Sequence, residues 1–246
     1  RVDGKFTYSR IGNTIGNWQE NSSSTGAGFS YGFYCGTLIL WDLFEKNPGD
    51  LRRDLSMAPY KLNASDAAVY WKDTELVTRR CGKYRREWTT TSPKEKNNDQ
   101  INYPVLRYAD VLLMLAEAEN EVNQAPTDLA YDAMNEVRER AGIDKVENLS
   151  YAEFQQEVRD ERARELCFES LRKYDLIRWG IYYDAAHNKL TTATNDKRWT
   201  TSSYYKAAKD YAANTEEKHR FLPIPMKELG VNLLLKQNSY WSNATE

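Results

Sequence analysis

The stretch at residues 102–123, NYPVLRYADVLLMLAEAENEVN, constrains the fold more than any other part of the chain. Pro104 disfavours helix at the residue before it, so Tyr103 and Pro104 form an extended entry. Beyond them Val105, Tyr108, Ala109, Leu112, Leu115, Ala116 and Glu119 recur at helical spacing, and Leu106 and Leu113 widen the apolar face. This pattern predicts a helix buried on more than one side. Ala109, Ala116 and Ala118 leave room for close helix–helix approach, which makes the segment a packing hub for the helices C-terminal to it.

Downstream, Pro126 and Thr127 open a second helix with Leu129, Ala133 and Val137 as one stripe and Ala130, Met134 and Ala141 beside it; Gly142 closes it as a left-handed cap. Ser150 and Glu153 form a capping box for a third helix, with Leu149 positioned to staple onto Phe154. Its charged middle, RDERARE, pairs acids and bases three and four apart, and Leu166, Cys167 and Phe168 return it to the core. Residues 171–179 continue as a helix that offers Tyr174, Ile177 and Trp179 for burial. Residues 181–218 are expected to be a polar, Tyr- and Thr-rich insertion, 221–225 (FLPIP) an extended proline-locked piece, 226–230 a helical turn, 232–238 a segment packed on the hub, and 239–246 a frayed end.

Upstream, residues 1–50 are rich in Gly, Ser and Asn with rings interspersed, a composition of surface loops. Within them residues 37–46 predict a short helix with Trp41 facing the core. From 51 to 100 alternation such as Leu76-Val77-Thr78 predicts short strands or irregular hairpins. Arg79, Arg80, Lys83, Arg85 and Arg86 cluster around Tyr84 and Trp88, and are expected to be a solvated face paired with local acids. With 34 basic and 36 acidic residues the chain lacks the positive excess that nucleic acid or an anionic membrane would select.

The segments YPVLRYADVLLMLAEAENEV, NEVRERAG, VRDERARELCFESLRKYDLIRWG and FLPIPMKELGVNLLLKQN, in that order, resemble the C-terminal part of the SusD/RagB family of outer-membrane nutrient-binding lipoproteins. DLFEKNPGDLRRDLS and GKYRREW are similar to the family as well. The resemblance implies a mainly α fold of tetratricopeptide-like helical hairpins with loop-rich and short β segments. It divides the chain into a loop-rich ligand-face region (1–100), packed helical hairpins (101–180) and an insertion with a C-terminal cap (181–246), with the family's helical N-terminal half absent. It also implies a surface location, lipid-anchored to the outer membrane, and a TonB-dependent SusC-like transporter as partner. The lipid-bearing N-terminal Cys of such a protein is not in this sequence, nor is a signal peptide.

No HExxH, nucleophile elbow, phosphate-binding glycine loop or CxxC occurs, so neither a catalytic constellation, a metal nor a cofactor is expected. The densest acids, Asp160, Glu161, Glu165 and Glu169, lie amid arginines; with Arg162, Arg172, Asp175 and Arg178 they are expected to hold helices together. Cys35, Cys81 and Cys167 have no metal-type spacing, and pairing of Cys35 with Cys81 stays open. What remains is recognition by rings and amides. With 17 Tyr and 7 Trp, the aromatic content exceeds what a helical core needs. A sugar offers an apolar C–H face and a hydroxyl edge, so a glycan site wants an exposed ring flanked by amides. Asn17, Trp18, Gln19, Tyr31, Tyr34 and Trp71 are the candidate ligand-binding residues, with Trp18 first; each ring is equally at home as a loop anchor. The expected function is non-catalytic glycan capture. A peptide groove of the RagB type would use the same rings, and a glycan hydrolase would need two opposed carboxylates.

Overall fold

The computed structural model describes residues 9–23, 25–90, 92–199 and 203–242. In chain order the helices are α1 (Ile11–Ile15), α2 (Leu38–Glu45), α3 (Arg52–Ser56), α4 (Tyr108–Asn123), α5 (Asp128–Arg140), α6 (Tyr151–Glu165), α7 (Arg172–Arg178), α8 (Leu190–Thr194), α9 (Ser203–Asn214) and α10 (Met226–Val231). One antiparallel hairpin, β1 (Tyr60–Leu62) against β2 (Ala68–Tyr70), pairs Tyr60 with Tyr70 and Leu62 with Ala68. The mainly helical fold with few, short strands is the one the motifs imply.

The hub helix is α4, but it begins three residues later than Val105. Val105, Leu106 and Tyr108 point to solvent, Val105 with 86% of its surface free. The reason is Arg107, whose extended backbone starts the helix and whose guanidinium is held by the carboxylates of Glu165 and Glu169. Ala109, Leu112, Leu113 and Ala116 form the buried stripe, filled by Ala130, Ala133, Met134 and Val137 of α5 and by Phe154 and Val158 of α6. The opposite, also apolar, side of α4 is open, so burial is on one side only. Leu129 and Tyr174 are likewise exposed rather than packed.

The capping signals act where the sequence places them. The Thr127 hydroxyl accepts from the Ala130 N–H at 3.1 Å. Ser150 and Glu153 make the reciprocal capping box, and Leu149 packs against the cluster that holds Phe154. Gly142, at φ 75°, turns the chain out of α5 close against Leu51.

A second core joins Leu38, Trp41 and Phe44 of α2 to Val77, Cys167, Leu190, Trp199 and Ala212. The expected insertion is therefore largely helical: α8, the π-helical turn Asp184–Lys189 before it and α9 pack together, with Leu190 and Ala212 sealing α2 rather than the hub. The second core also buries Trp41. The final segment departs from expectation in the other direction, because residues 232–238 do not settle on the hub. Gln237 closes a local clip with the backbone of Ile224, and Leu233 and Leu234 face solvent. Residues 243–246 of the expected frayed end lie outside the described residues.

Between the two cores sits a buried ionic joint. Glu161 of α6, fully buried, accepts from Arg52 at 2.5 Å, from Arg164 at 2.6 Å and from Arg138 at 3.1 Å. Glu165, one turn on, takes Arg52, Arg107 and Arg140. Burial opposes charge on Glu165, but the three guanidiniums outweigh it and hold the carboxyl down at about 2. Arg162 reaches Asp110 and Asp175, and Arg178 reaches Glu117, which fasten α7 to the hub. The helix-holding role expected of these residues is thus met.

The arginine cluster at 79–86 is not a solvated face. Arg79, Arg80, Arg85 and Arg86 are all buried. Arg86 donates to the carbonyls of Phe29 (2.5 Å), Glu95 (2.7 Å) and Asn98 (3.1 Å). Arg85 donates to those of Gly82, Asp54 and Leu55 and to the Tyr60 hydroxyl. Loop backbone without sheet partners must satisfy its carbonyls somewhere, and a planar fork with five N–H groups does so for three carbonyls at once. Leu76–Thr78, expected as strand, is one 3-10 turn in this layer.

The ionic joint sets two expectations for stability. Glu161→Ala strands three buried guanidiniums and should cost about 3–5 kcal/mol, whereas Arg140→Ala, on a side chain 58% exposed, should cost about 0–1 kcal/mol; denaturant melts of the two variants give the comparison. Because the folded pKa of Glu165 is depressed to about 2, its stabilisation is complete above the usual carboxylate range and is lost as pH falls through about 4.5 toward about 2. The melting temperature should drop across that window, and Glu165→Gln, already destabilised at neutral pH, should show a shallower acid decline.

Candidate functional site

The ring-bearing loops converge on β1. On one side β1 pairs with β2, and on the other the chain at 18–20 runs beside it: Leu62 N–H donates to the Trp18 carbonyl at 2.9 Å and Glu20 N–H to the Leu62 carbonyl at 2.9 Å. Just past β2, Trp71 N–H donates to the Pro59 carbonyl. Trp18 and Trp71, 53 positions apart in sequence by their numbering, are thereby stacked at 6.0 Å between centroids, 27° apart in plane.

Cations cover this pair. Lys61 Nζ lies 4.2 Å from the Trp18 ring centre, and the Arg80 guanidinium lies 5.3 Å from Trp18 and 5.7 Å from Trp71. Arg80 is aimed by its Nη1, which donates to Cys35 Sγ at 2.6 Å and to the Thr78 carbonyl at 2.7 Å. Burial pushes the Cys35 thiol up in pKa, against the pull of Arg80, so the sulfur is a neutral acceptor at neutral pH. Cys35, Cys81 and Cys167 are free thiols.

Beside Trp18 runs a second ring file. Gly32, at φ 59°, lets its backbone lie on Trp18, where a Cβ would meet the Trp18 Cβ at 3.0 Å. Tyr31 stacks on Phe33 at 4.8 Å and meets Phe29 edge-on at 4.7 Å, with Lys96 over Phe29 at 4.6 Å. Phe33 and Tyr34 are each more than half exposed, as is Tyr70 at the hairpin end. The Tyr34 carbonyl accepts from Cys81 N–H, which fixes that ring's base beside the Arg80 segment.

The sequence-derived candidates therefore separate. Trp18 and Trp71 are half-buried partners in one stack, Tyr31 is half-buried in the ring file, and Tyr34 is open. Asn17 and Gln19 are fully buried and present no surface to a ligand; Gln19 donates to Glu87 and so ties the loop to that segment. Sequence reasoning missed Lys61, Arg80, Phe33 and Tyr70. The hairpin that carries two of them was signalled by the turn-rich Asn63-Ala64-Ser65-Asp66 between two alternating runs.

A cleft of about 600 Å³ opens where the hub entry meets α3, walled by Leu51, Leu55, Trp88, Ile101 and Pro104. The charged groups at its floor, Arg107, Glu165 and Glu169, are spent on one another. A carboxyl held at about 2 has no proton to donate at neutral pH. Arg85 links cleft to platform, lying over Trp88 at 4.5 Å and over Tyr60 at 5.2 Å. Among the described residues no group of three or more His, Cys, Asp or Glu side chains could hold a metal ion. Nor is any helix among them long and apolar enough to cross a membrane.

A model of the SusD family matches residues 58–241. SusD-like protein P25 of Formosa agariphila is 37% identical over 156 residues, 62% of this chain and 26% of that protein. Among solved structures, a SusD homolog from Bacteroides thetaiotaomicron superposes with a TM-score of 0.72 at 28% identity, over 91% of this chain and 47% of the other. Surface glycan-binding protein A from Bacteroides uniformis does so with a TM-score of 0.61 at 29% identity, over 95% and 47%. The chain thus spans about half the length of these solved relatives and, in its match to P25, about a quarter of that protein. By its family match over three quarters of its residues, and by a fold shared along nearly its whole length, the chain belongs to the SusD family.

Proposed function

We propose that this chain is the ligand-face part of a non-catalytic nutrient-binding protein, one that captures a glycan at the outer surface of the cell and delivers it to a TonB-dependent transporter of the SusC type. The observation that carries the reading is the ring surface built on β1, where Phe33, Tyr34 and Tyr70 stand open beside the Trp18–Trp71 stack. Open rings take the C–H faces of sugars, while Lys61, held at 2.5 Å by Glu20, and Lys96 offer donors to hydroxyls. A relative described as a surface glycan-binding protein shares the fold at 29% identity, which supports the same ligand class here. Location at the outer membrane, lipid attachment and the transporter partner are what membership of the family suggests. The saturated carboxylates of α6 support binding without turnover.

Peptide capture of the RagB type is the second reading, and one feature favours it. β2 is the outer strand of its two-stranded sheet and is exposed along its length, an edge to which an extended peptide could add by backbone hydrogen bonds.

Calorimetric titration with a panel of neutral and charged oligosaccharides and of peptides decides between them. Saturable binding of an oligosaccharide, weakened about tenfold or more by Tyr34→Ala or Tyr70→Ala with little change in melting temperature because both rings are exposed, is the expected result; tenfold corresponds to about 1.4 kcal/mol, the scale of one ring contact. Binding of peptides alone would give the second reading, and release of shortened sugars would overturn both.

A further inference from the structure

What the ring surface selects is decided by what lies over its rings. Three cations do so: Lys61 at 4.2 Å from the Trp18 ring centre, Arg80 over both Trp18 and Trp71, and Lys96 at 4.6 Å from Phe29 and 5.8 Å from Tyr31. Optimal carbon contacts lie at roughly 3.5–4.0 Å, so a ring face already under an ammonium group at 4.2 Å has no room for a sugar. On that face Trp18 offers a ligand the cation and not the bare ring. C–H stacking is left to Phe33, Tyr34 and Tyr70, each more than half exposed. The acids of the same loops are turned elsewhere. Asp66 accepts from Asn21 Nδ2 at 3.0 Å and from the Ala27 N–H at 3.2 Å, Glu87 from Gln19 and the Tyr60 hydroxyl, and Glu95 from Asn98 Nδ2 at 2.6 Å. Glu20 pairs with Lys61 on the rim, where both side chains keep some exposure. Lys96 is exposed, and among the described residues no carboxylate comes within ion-pair distance of it. Lys72 and Asp73, just past Trp71, are both exposed and offset each other.

We propose that the glycan this surface selects is an anionic one, a chain whose sugars carry carboxylate or sulfate groups, with Lys61 and Lys96 taking the charged groups and Phe33, Tyr34 and Tyr70 the C–H faces. The proposal rests on the glycan-capture reading and narrows it. An ammonium group has three donors, so Lys61 keeps Glu20 and still has N–H groups for an oxyanion of the ligand. A charge-assisted bond to an oxyanion is roughly twice as strong as one to a hydroxyl, and this difference is what lysines at the rings turn into selection. Arg80, aimed by Cys35 and Thr78 and almost wholly buried, adds its field to the same face without touching the ligand. A neutral glycan would gain nothing from these charges that an amide could not supply.

The test is calorimetric titration of the whole chain with an oligogalacturonate and its carboxyl-reduced form, and with a sulfated galactan oligosaccharide and its desulfated form. In at least one pair the charged member should bind about tenfold or more tighter than its neutral counterpart, and the pair that shows the gap identifies the group. The gap should close as salt rises from about 0.01 M to about 1 M, over which the Debye length falls from about 30 Å to about 3 Å. Lys61→Gln combined with Lys96→Gln should shrink it severalfold with little change in melting temperature, because Lys96 is exposed and Lys61 pairs at the rim. Lys96→Arg alone, which keeps the charge, should retain it, and so should Lys236→Gln on the exposed C-terminal clip. Equal affinity for the charged and neutral members of both pairs, binding confined to neutral oligosaccharides, or a gap that the double variant keeps would overturn anionic selection and leave glycan capture standing. Binding of an acidic peptide and of no saccharide would overturn both.

Discussion

The fold depends on one carboxylate. Glu161, with no exposed surface, sits where α6 passes between the two apolar cores, and the three guanidiniums it accepts come from three different places: Arg164 from its own helix, Arg138 from α5 and Arg52 from the loop layer. A buried charge without such partners would cost several kcal/mol, so each partner must be in place for the others to be tolerable. Helix hairpin, loop layer and α2 are thereby fixed relative to one another by a condition that is met all together or not at all. Lys46 on Asp160, and Arg164 under the Leu43 carbonyl, extend the same joint to the end of α2.

That joint gives the ring surface its rigidity. Trp18, Trp71 and Arg80 are placed by β1 and by the backbone around Thr78, and this backbone is in turn anchored by Arg79 on Asp54 in the α3 segment that Arg52 begins. The route from the α6 carboxylates to the aromatic stack therefore runs through short ion pairs and backbone hydrogen bonds. Loops ordinarily cost conformational entropy to hold in one arrangement; here hydrogen bonds and ion pairs to the frame tie down the loops that carry the rings.

The helical half was legible because its signals are local. A proline entry, the Thr127 and Ser150 caps and Gly142 mark element ends through backbone chemistry within four residues, and the stripes of α5 and α6 keep a simple period. Where the reading failed, the deciding term was remote. Val105 and Leu106 look like core until Arg107 is drawn to carboxylates some sixty residues away. The arginines at 79–86 look like surface because charge is normally solvated, and nothing nearby reveals that loop carbonyls will consume their N–H groups. Asn17 and Gln19 share a polar loop with Trp18, yet bridging to β1 turns the amides inward. Residues 181–218 look polar because Ile181 and Leu190 are their only large aliphatic residues, yet Leu190, Trp199 and Ala212 suffice to cover α2.

The guanidinium forks of Arg85 and Arg86 grip carbonyl oxygens, and every amino acid carries one. Side chains along the gripped loops can therefore be respelled without loosening the grip, provided the main chain keeps its course. A scaffold of this kind separates the letters that hold the shape from those on the loop surface, and leaves the latter free to vary.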